Sequence, residues 1–386
     1  MLRLSPRWLL PWLGLILLLS GCANRMPIPD QRQLLHDELF ARPSRVFDAR
    51  SLFELSPEMR EYLRVRLPQL SPRNDPRQAL LDALYSQRDL RLAYDGGNTL
   101  TAREAFEART GNCLSLVIMT SAFAKHLGVP VSYRRVVMDE LFTRTDNLTL
   151  ASGHVNLVLA PLPSRLWRLD ADDASLTVDF LPSEDTRGQQ SLPLEERTLV
   201  AMYLNNRAVE TLSQGHLDEA YAWAREAVLQ DGRFTPAANT LGVIYSRAGH
   251  VAAAEAALRH ALAIEPDHHA ALTNLVGLMH RTGRSAEATG LAARLAVVQP
   301  EPPFQQFEQG RAAMARGDFA AARQHFNREL RRQPYQDEVH FWAAQANWYL
   351  GDFDQAAHHL RLARDYSITQ ANHARYAAKL DHLRAH

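Results

Sequence analysis

The chain has 386 residues, a length that suggests about two or three domains, each large enough to bury a core of its own. Its 43 basic residues balance its 43 acidic residues, so no net charge would attract nucleic acid or an anionic membrane surface. After the N-terminus, no apolar run approaches the roughly 20 residues of a membrane-spanning helix. The composition therefore favours globular domains and gives no support to a nucleic-acid partner.

The first 22 residues have the features of a bacterial export signal. Arg3 and Arg7 supply positive charge, and the apolar stretch 8–19 follows them. The next residues, Leu-Ser-Gly-Cys22, resemble the lipobox of bacterial lipoproteins, which implies cleavage before Cys22 and acylation of that cysteine with fatty acids such as palmitate. An uncleaved signal anchor is the alternative, but the apolar stretch is short for a membrane span.

The lipobox resemblance also implies where the protein resides. Several acyl chains hold a protein firmly in a bilayer. Ala23 follows the cysteine where an aspartate would imply retention in the inner membrane, so the resemblance implies an outer-membrane lipoprotein that faces the periplasm. Acylation of Cys22 leaves Cys113 as the single thiol, in an oxidising compartment and without an internal disulfide partner.

The rest of the chain divides into three regions. Residues 23–75 are rich in proline, arginine and short polar gaps, which predicts a tether with packing helices. Residues 76–190 alternate helical segments with strand-like segments, which predicts an α+β domain. The composition of residues 182–193 is typical of a linker, so we place the domain boundary there. Residues 201–386 are predicted to form an all-α region.

The α+β domain contains the motif Gly111-Asn-Cys113, then an apolar helical segment and Leu127-Gly-Val-Pro130. Glycine suits a tight turn, and a cysteine at a helix N-terminus faces the positive end of the macrodipole, which favours the thiolate. These residues resemble the transglutaminase-like family, which has a papain-like fold, and the resemblance implies a cysteine nucleophile. The alternative is that Cys113 is a buried small hydrophobic residue.

His154 and Asp170 are the expected partners of Cys113. His154 opens an alternating strand, as in the family's second motif, although Val155-Asn156 replaces the frequent Ala-Trp. The family's third motif, Trp-x-x-Asp, matches the residues that end at Asp170. The resemblance implies that His154 carries the proton and that Asp170 orients the imidazole and stabilises its charged form.

Several alternatives stay open around this triad. His154 could be a strand histidine with a satisfied hydrogen bond, and Asp172 or Asp173 could take the place of Asp170. The oxyanion of the reaction needs hydrogen-bond donors, and the backbone amide of Cys113 is the expected first donor. The second donor stays open among Asn112, which could simply serve the turn, Asn98 and Tyr94.

Residues 201–386 contain an internal repeat of 34 residues. Five glycines recur at this spacing, and an alanine follows each one five residues later, where two helices are expected to cross closely. The glycines are Gly215, Gly249, Gly283, Gly317 and Gly351. The period, together with Leu241-Gly242 and Tyr245, resembles the tetratricopeptide repeat (TPR). That resemblance implies five helix pairs, a closing helix over 372–384, and a superhelix whose concave face binds a peptide or protein.

Polar residues on the first helices of the repeats are candidates for partner binding: Asn205, Asn239, Asn274, Arg247 and Arg281. An ordinary polar helix surface is the alternative, and it is the favoured one. No set of cysteine, histidine and carboxylate residues has metal-ligand spacing, and no glycine-rich phosphate loop follows a strand. The sequence therefore predicts no metal, nucleotide or other cofactor.

Together these features predict an envelope-anchored cysteine hydrolase or acyl transferase, such as a peptidase, an amidase or a transglutaminase-like enzyme, that acts on peptide or protein amide bonds. The repeats would recruit the substrate or a partner and raise its concentration beside Cys113. The alternative is a noncatalytic lipoprotein that scaffolds envelope protein assembly through its repeats, with the cysteine domain as a structural relic.

Overall fold

The computed structural model of the protein describes residues 30–42, 47–70, 75–85, 90, 92–94, 98–145, 148–162, 175–180, 190–300, 304–367 and 370–384. The export signal with Cys22 and the motif that ends at Asp170 lie outside these residues. Within the described ranges, no helix is both long enough and apolar enough to cross a membrane.

An N-terminal segment, residues 30–42 and 47–56, packs against the first two helical repeats. It contains three single-turn 3-10 helices, Gln31–Leu34, Asp37–Leu39 and Ala49–Phe53. The hydroxyl of Tyr245 donates to the carbonyl oxygen of Leu34 at 2.7 Å, and the ring of Phe40 stacks on Tyr221 with centroids 4.1 Å apart. The region predicted as a tether thus includes a stretch that docks on the array.

The α+β domain follows the N-terminal segment. Its helices are α1 (Pro57–Glu61), α2 (Pro76–Tyr85), α3 (Ala102–Ala108) and α4 (Cys113–His126). Its strands are β1 (Ala93–Tyr94), β2 (Thr110–Gly111), β3 (Val131–Thr145), β4 (Leu148–Leu159), β5 (Leu176–Val178) and β6 (Gln190–Leu194). β1 and β2 form a short parallel pair, and the other four strands form an antiparallel sheet in the order β5-β4-β3-β6.

Helix α4 is the central helix of this domain and packs against β4. Eleven of its fourteen residues are buried. Burial of each large apolar side chain stabilises the fold by about 1.5–3 kcal/mol, so this helix contributes strongly to the stability of the domain. On β4 the apolar residues Val155, Leu157 and Leu159 are buried, and the polar residues His154 and Asn156 between them are buried as well, so burial there does not alternate as predicted.

The predicted linker is partly wrong. Residues 190–193 belong to β6, which pairs with β3 through the register Tyr133↔Leu194. Polar composition indicated a linker, but an edge strand needs only backbone hydrogen bonds along one side and tolerates polar side chains on the solvent face. Pro193 is compatible with this edge position because proline lacks the amide hydrogen that a central strand uses.

Five helix pairs and a closing helix make up the rest of the chain, as the repeat predicts. They are α5 (Glu196–Ser213), α6 (Leu217–Gln230), α7 (Thr235–Arg247), α8 (Val251–Ile264), α9 (His269–Arg281), α10 (Ser285–Val298), α11 (Gln305–Ala315), α12 (Phe319–Arg332), α13 (Asp337–Tyr349), α14 (Phe353–Asp365) and α15 (Gln370–Arg384). The first helix begins at Glu196, a few residues before the predicted start of the array at residue 201.

The recurring glycines end the first helix of each pair. Their φ angles lie between 76° and 85°, in the left-handed region that glycine adopts without strain. The recurring alanines are fully buried where the paired helices cross, at Ala220, Ala254, Ala288, Ala322 and Ala356. In the second pair Gly242 adds to this close approach, because a Cβ there would lie 2.7 Å from Leu258 Cγ.

One hydrophobic core runs through the α+β domain and the first three repeats. It extends from Leu34 in the N-terminal segment to Ala288 in α10. Two smaller clusters lie in the fourth and fifth repeats, around Phe326 and around Tyr376. The α+β domain and the start of the array are therefore packed together as one unit.

Candidate active site

The residues before Cys113 place the thiol at the start of α4. Helix α3 ends at Arg109, which has a φ of 55°, and the chain then passes through β2 to Asn112. The Oδ1 of Asn112 caps α4 by accepting hydrogen bonds from the backbone N–H of Ser115 at 2.9 Å and from its hydroxyl at 2.8 Å. Cys113 is the first residue of the helix and is half-buried.

Gly111 has a different role from the one expected. Its φ does not lie in the left-handed region, so a special turn conformation does not require glycine there. A Cβ at this position would instead lie 2.8 Å from Ser115 Cβ. Glycine is required because the backbone before Cys113 passes directly over the first turn of α4.

His154 faces Cys113 from β4. It is 1% exposed and lies opposite Val136 in the neighbouring strand. Its Nε2 is 2.7 Å from Oδ1 of Asp179. Cys113 lies close enough to contribute to the pKa of the imidazole, while Nδ1 of His154 is buried and makes no hydrogen bond among the described residues.

The electrostatics of this group favour a charged imidazole. Burial lowers the pKa of His154, but its hydrogen bond to the Asp179 carboxylate and the proximity of Cys113 outweigh burial and raise the pKa to about 9. An imidazolium beside Cys113 would stabilise the thiolate form of that residue. The arrangement can therefore supply a nucleophile and a proton donor at neutral pH.

Asp179 makes three further hydrogen bonds, with Asn156 and Tyr85. Its Oδ2 accepts a hydrogen bond from Asn156 Nδ2 at 3.1 Å. The hydroxyl of Tyr85 accepts from the backbone N–H of Asp179 at 3.0 Å and donates to its carbonyl oxygen at 2.6 Å. These contacts fix the carboxylate against His154.

The acid at His154 is thus Asp179, a residue that the sequence analysis did not select. Asp170, with Asp172 and Asp173, lies outside the described residues, so its role stays a prediction. Asp179 follows β5 directly, and β5 lies beside β4 through the pair Leu157↔Val178. The sequence signal for Asp179 was the short alternating segment that ends just before it. The Trp-x-x-Asp motif, which ends at Asp170, was given more weight.

The side chain of Asn112 serves the start of the helix. Besides capping α4, its Nδ2 donates to the hydroxyl of Thr99 at 3.0 Å. Among the candidates for the second oxyanion donor, Asn112 is therefore engaged in local structure, and Asn98 is an exposed residue just before Thr99. The backbone N–H of Cys113 stays the expected first donor.

The candidate residues of the groove connect neighbouring repeats. Asn274 Nδ2 donates to Asn239 Oδ1 at 2.8 Å, and Arg281 Nη2 donates to Ser246 Oγ at 2.7 Å. The guanidinium of Arg247 lies 3.5 Å from the carbonyl oxygen of Leu212 in the preceding repeat.

Asn205 is 8% exposed, and its Oδ1 is buried without a hydrogen bond among the described residues. These contacts are compatible with a structural role for the polar positions, and partner binding by Asn205, Asn239, Asn274, Arg247 and Arg281 stays a prediction. Within the described part of the chain, no cluster of three or more histidine, cysteine or carboxylate residues could hold a metal ion.

The family model of the tetratricopeptide repeat matches residues 239–304 and 307–372. The C-terminal region therefore consists of TPR repeats, a class of repeat that mediates protein interaction by binding peptide or protein partners. The matched ranges begin at residue 239 and do not include the α+β domain, whose transglutaminase-like character stays a prediction.

Several solved structures are similar to part of the chain. "MamA MSR-1 C2" is 22% identical over 43% of this chain and 95% of that chain, with a TM-score of 0.24. PilF of Pseudomonas aeruginosa is 20% identical over 49% of this chain and 94% of its own, with a TM-score of 0.28. YrrB, described as a TPR protein with an unusual peptide-binding site, is 18% identical over 46% of this chain and 92% of its own, with a TM-score of 0.25. At these TM-scores none of them carries an argument about this chain, and no curated protein matches it.

Proposed function

We propose that the protein is a cysteine hydrolase or acyl transferase of transglutaminase-like type whose TPR repeats recruit a peptide or protein. The observation that carries the proposal is the contact of His154 with the carboxylate of Asp179, together with the proximity of Cys113, which contributes to the pKa of His154. A buried histidine between a half-buried thiol and a fixed carboxylate has the geometry of a cysteine nucleophile with its base and its orienting acid.

In the proposed reaction the sulfur of Cys113 attacks the carbonyl carbon of an amide. The proton of the thiol resides on His154, and the carboxylate of Asp179 stabilises the imidazolium. The backbone N–H of Cys113 donates to the oxyanion. When the C–N bond breaks, His154 gives its proton to the leaving amine and a thioester remains on Cys113. Water or a second amine then attacks the thioester, loses a proton to His154, and releases the product and the thiol.

The proposed place of this reaction is the bacterial envelope. The lipobox resemblance around Cys22 supports a lipid anchor in the outer membrane, with the enzyme facing the periplasm. Acylation would leave Cys113 as the one cysteine able to react in that compartment.

A noncatalytic scaffold is the second candidate, and the TPR match favours it. Repeats of this class bind partners without any chemistry, and a cysteine domain can persist as a packing module for the array. In that case the contact between His154 and Asp179 would be a structural hydrogen bond inside the domain.

The pH dependence of Cys113 alkylation tests the proposal without a known substrate. Iodoacetamide should modify Cys113 of the full chain rapidly near pH 6, and His154→Ala should abolish this advantage. His126→Ala is the matched control, because His126 lies exposed at the opposite end of the same helix. If the thiol reacts only above about pH 8, as a free cysteine does, the catalytic proposal fails and the scaffold becomes the better account.

A second experiment separates the two candidates by their products. Envelope peptides and an amine probe are incubated with the wild-type chain or with Cys113→Ala, and mass spectrometry follows cleavage and amine incorporation. The proposal expects products from the wild-type chain alone. Equal retention of one partner by both chains, with no product from either, would support the scaffold.

A further inference from the structure

A buried polar junction connects the nucleophile helix α4 to the first repeat helix α5. Thr99, which is 1% exposed, lies at its centre. Its hydroxyl accepts hydrogen bonds from Nδ2 of Asn112 at 3.0 Å and from Nδ2 of Asn206 at 3.2 Å. Its backbone N–H donates to Oε1 of Glu210 at 2.8 Å. One threonine thus joins the cap of the Cys113 helix to two side chains of the array.

The next residue of the same loop strengthens the junction. The backbone N–H of Leu100 donates to the hydroxyl of Ser115 at 2.8 Å, and that hydroxyl donates in turn to Asn112. The loop is therefore hydrogen-bonded to the first turn of α4 on one side and to α5 on the other. Any displacement of this loop would disturb the residues immediately before and after Cys113.

Helix α5 also contacts the other end of α4. Glu196, in the first turn of α5, forms an ion pair with Lys125 at 2.6 Å and accepts a hydrogen bond from the hydroxyl of Tyr133 at 3.0 Å. The start of α5 thus lies at the end of α4, and the later residues Asn206 and Glu210 lie at its beginning. The first repeat helix thus contacts the end of α4 through Lys125 and reaches the cap at its beginning through Thr99.

Glu210 is a charged residue at a repeat position where the other units are apolar. It is the tenth residue of the first 34-residue unit, and the other units carry an apolar residue there: Ile244, Leu278, Ala312 and Ala346. The Glu210 carboxylate forms an ion pair with Arg207 at 2.9 Å in addition to its bond with Thr99. Burial raises the pKa of Glu210, so a charged carboxylate at this position lowers the stability of the fold. Packing of the repeat alone does not require this residue.

We propose that Asn206 and Glu210 of the first repeat are positioning residues for Cys113, acting through Thr99 and the cap residue Asn112. The inference rests on the proposed function of Cys113 as a nucleophile. It assigns to the first repeat a part in holding the thiol at the helix N-terminus and beside His154, in addition to any part in binding a partner.

The test uses variants that each alter one side chain of the junction. Thr99→Val removes the hydroxyl at nearly constant volume, and Thr99→Ser keeps it. Asn206→Ala has a control in Asn347→Ala, which removes an amide hydrogen bond, from Asn347 Nδ2 to the carbonyl oxygen of Ala343 at 2.9 Å, on the first helix of the fifth repeat. Glu210→Leu introduces the residue that the third repeat carries at this position.

The readouts are the pH profile of Cys113 alkylation by iodoacetamide and the thermal unfolding midpoint of the full chain. Thr99→Val and Glu210→Leu should lower the rate near pH 6 by about tenfold, which corresponds to about 1.4 kcal/mol, and move the profile to higher pH. Asn206→Ala should have a smaller effect in the same direction. Thr99→Ser and Asn347→Ala should stay within about twofold of the wild-type rate.

The outcomes separate this inference from the proposed function. A wild-type thiol that reacts like free cysteine contradicts both. A wild-type thiol that is activated, together with unaltered pH profiles for Thr99→Val, Asn206→Ala and Glu210→Leu, contradicts the positioning role alone. A fall in the unfolding midpoint with an unchanged profile would assign the junction to stability and also overturn the inference.

Discussion

Replacement of Asp179 by asparagine tests the triad most directly. Asparagine keeps the size of the side chain and an oxygen that can accept from His154 Nε2, and it removes the negative charge. The pKa of His154 stands at about 9 against an ordinary value of 6.5, although burial alone would lower it. The difference corresponds to about 3 kcal/mol in favour of the imidazolium.

The size of the expected effect follows from this difference. Without the Asp179 charge, burial is opposed only by Cys113, so the pKa of His154 should fall from about 9 toward its ordinary value. The rate of Cys113 alkylation near pH 6 should then fall by between about tenfold and about a hundredfold, the larger value being the limit that about 3 kcal/mol sets. The assay compares the wild-type chain and Asp179→Asn over pH 5 to 10.

Asp170→Asn is the rival variant in this assay, because the Trp-x-x-Asp motif favours Asp170. Because Asp179 already contacts His154, we expect Cys113 of Asp170→Asn to be alkylated like that of the wild-type chain. A large loss in Asp170→Asn with none in Asp179→Asn would refute the assignment of the acid and restore the motif-based one.

The raised pKa of His154 also fixes the sign of two pH effects. An anionic reagent such as iodoacetate should be favoured over neutral iodoacetamide while the imidazolium persists, and this preference should vanish as the pH rises through about 9. The contribution of His154 to stability is fully present below pH 6.5 and is lost as the pH rises through about 9. Urea unfolding at both ends of this window, in the wild-type chain and in His154→Gln, measures it.

Three further predictions concern the rest of the chain. Gly111→Ala places a methyl group 2.8 Å from Ser115 Cβ. It should destabilise the fold by about 1–3 kcal/mol, measured by urea unfolding, and should slow Cys113 alkylation. Tyr245→Phe removes a hydroxyl that donates to Leu34 and should cost about 1–2 kcal/mol; unchanged proteolysis of the N-terminal segment would contradict this. Burial lowers the pKa of both His340 and His359 to about 4, and their Nδ1 atoms lie 3.0 Å apart. The fifth repeat should therefore lose stability as the pH falls from 6.5 through 4. Hydrogen exchange of α13 and α14 will show whether these helices open.

The sequence predicted most of the array because its determinants are local. Each recurring glycine ends a helix in a left-handed conformation, and this requirement depends on a few neighbouring residues. The position of Cys113 at a helix start was predictable for a similar reason, since the cap and the first helical residue lie within one short motif. The lipobox and Asp170 lie outside the described residues, so the predictions that rest on them stay as they were.

The identity of the acid and the docking of the N-terminal segment depend on distant contacts. Asp179 reaches His154 only because β5 pairs with β4 in the register Leu157↔Val178. No local pattern specifies that register, because β5 has three residues and is separated from β4 along the chain. Leu34 meets Tyr245 across more than half of the chain, and such a contact leaves no periodic signal in the sequence.

The first helix of a repeat array has no preceding repeat to cover the face that later units bury. In this protein the α+β domain covers α5, and the polar junction at Glu210 takes the place of an apolar contact between repeats. The cysteine domain thus caps the array, and the array in turn holds the helix that carries Cys113. A flexible linker would give the site only a higher local concentration of whatever the repeats bind. A shared core and the hydrogen bonds of Thr99 add a direct connection, because Thr99 contacts Asn206 and Glu210 of α5 as well as the cap residue Asn112 of α4.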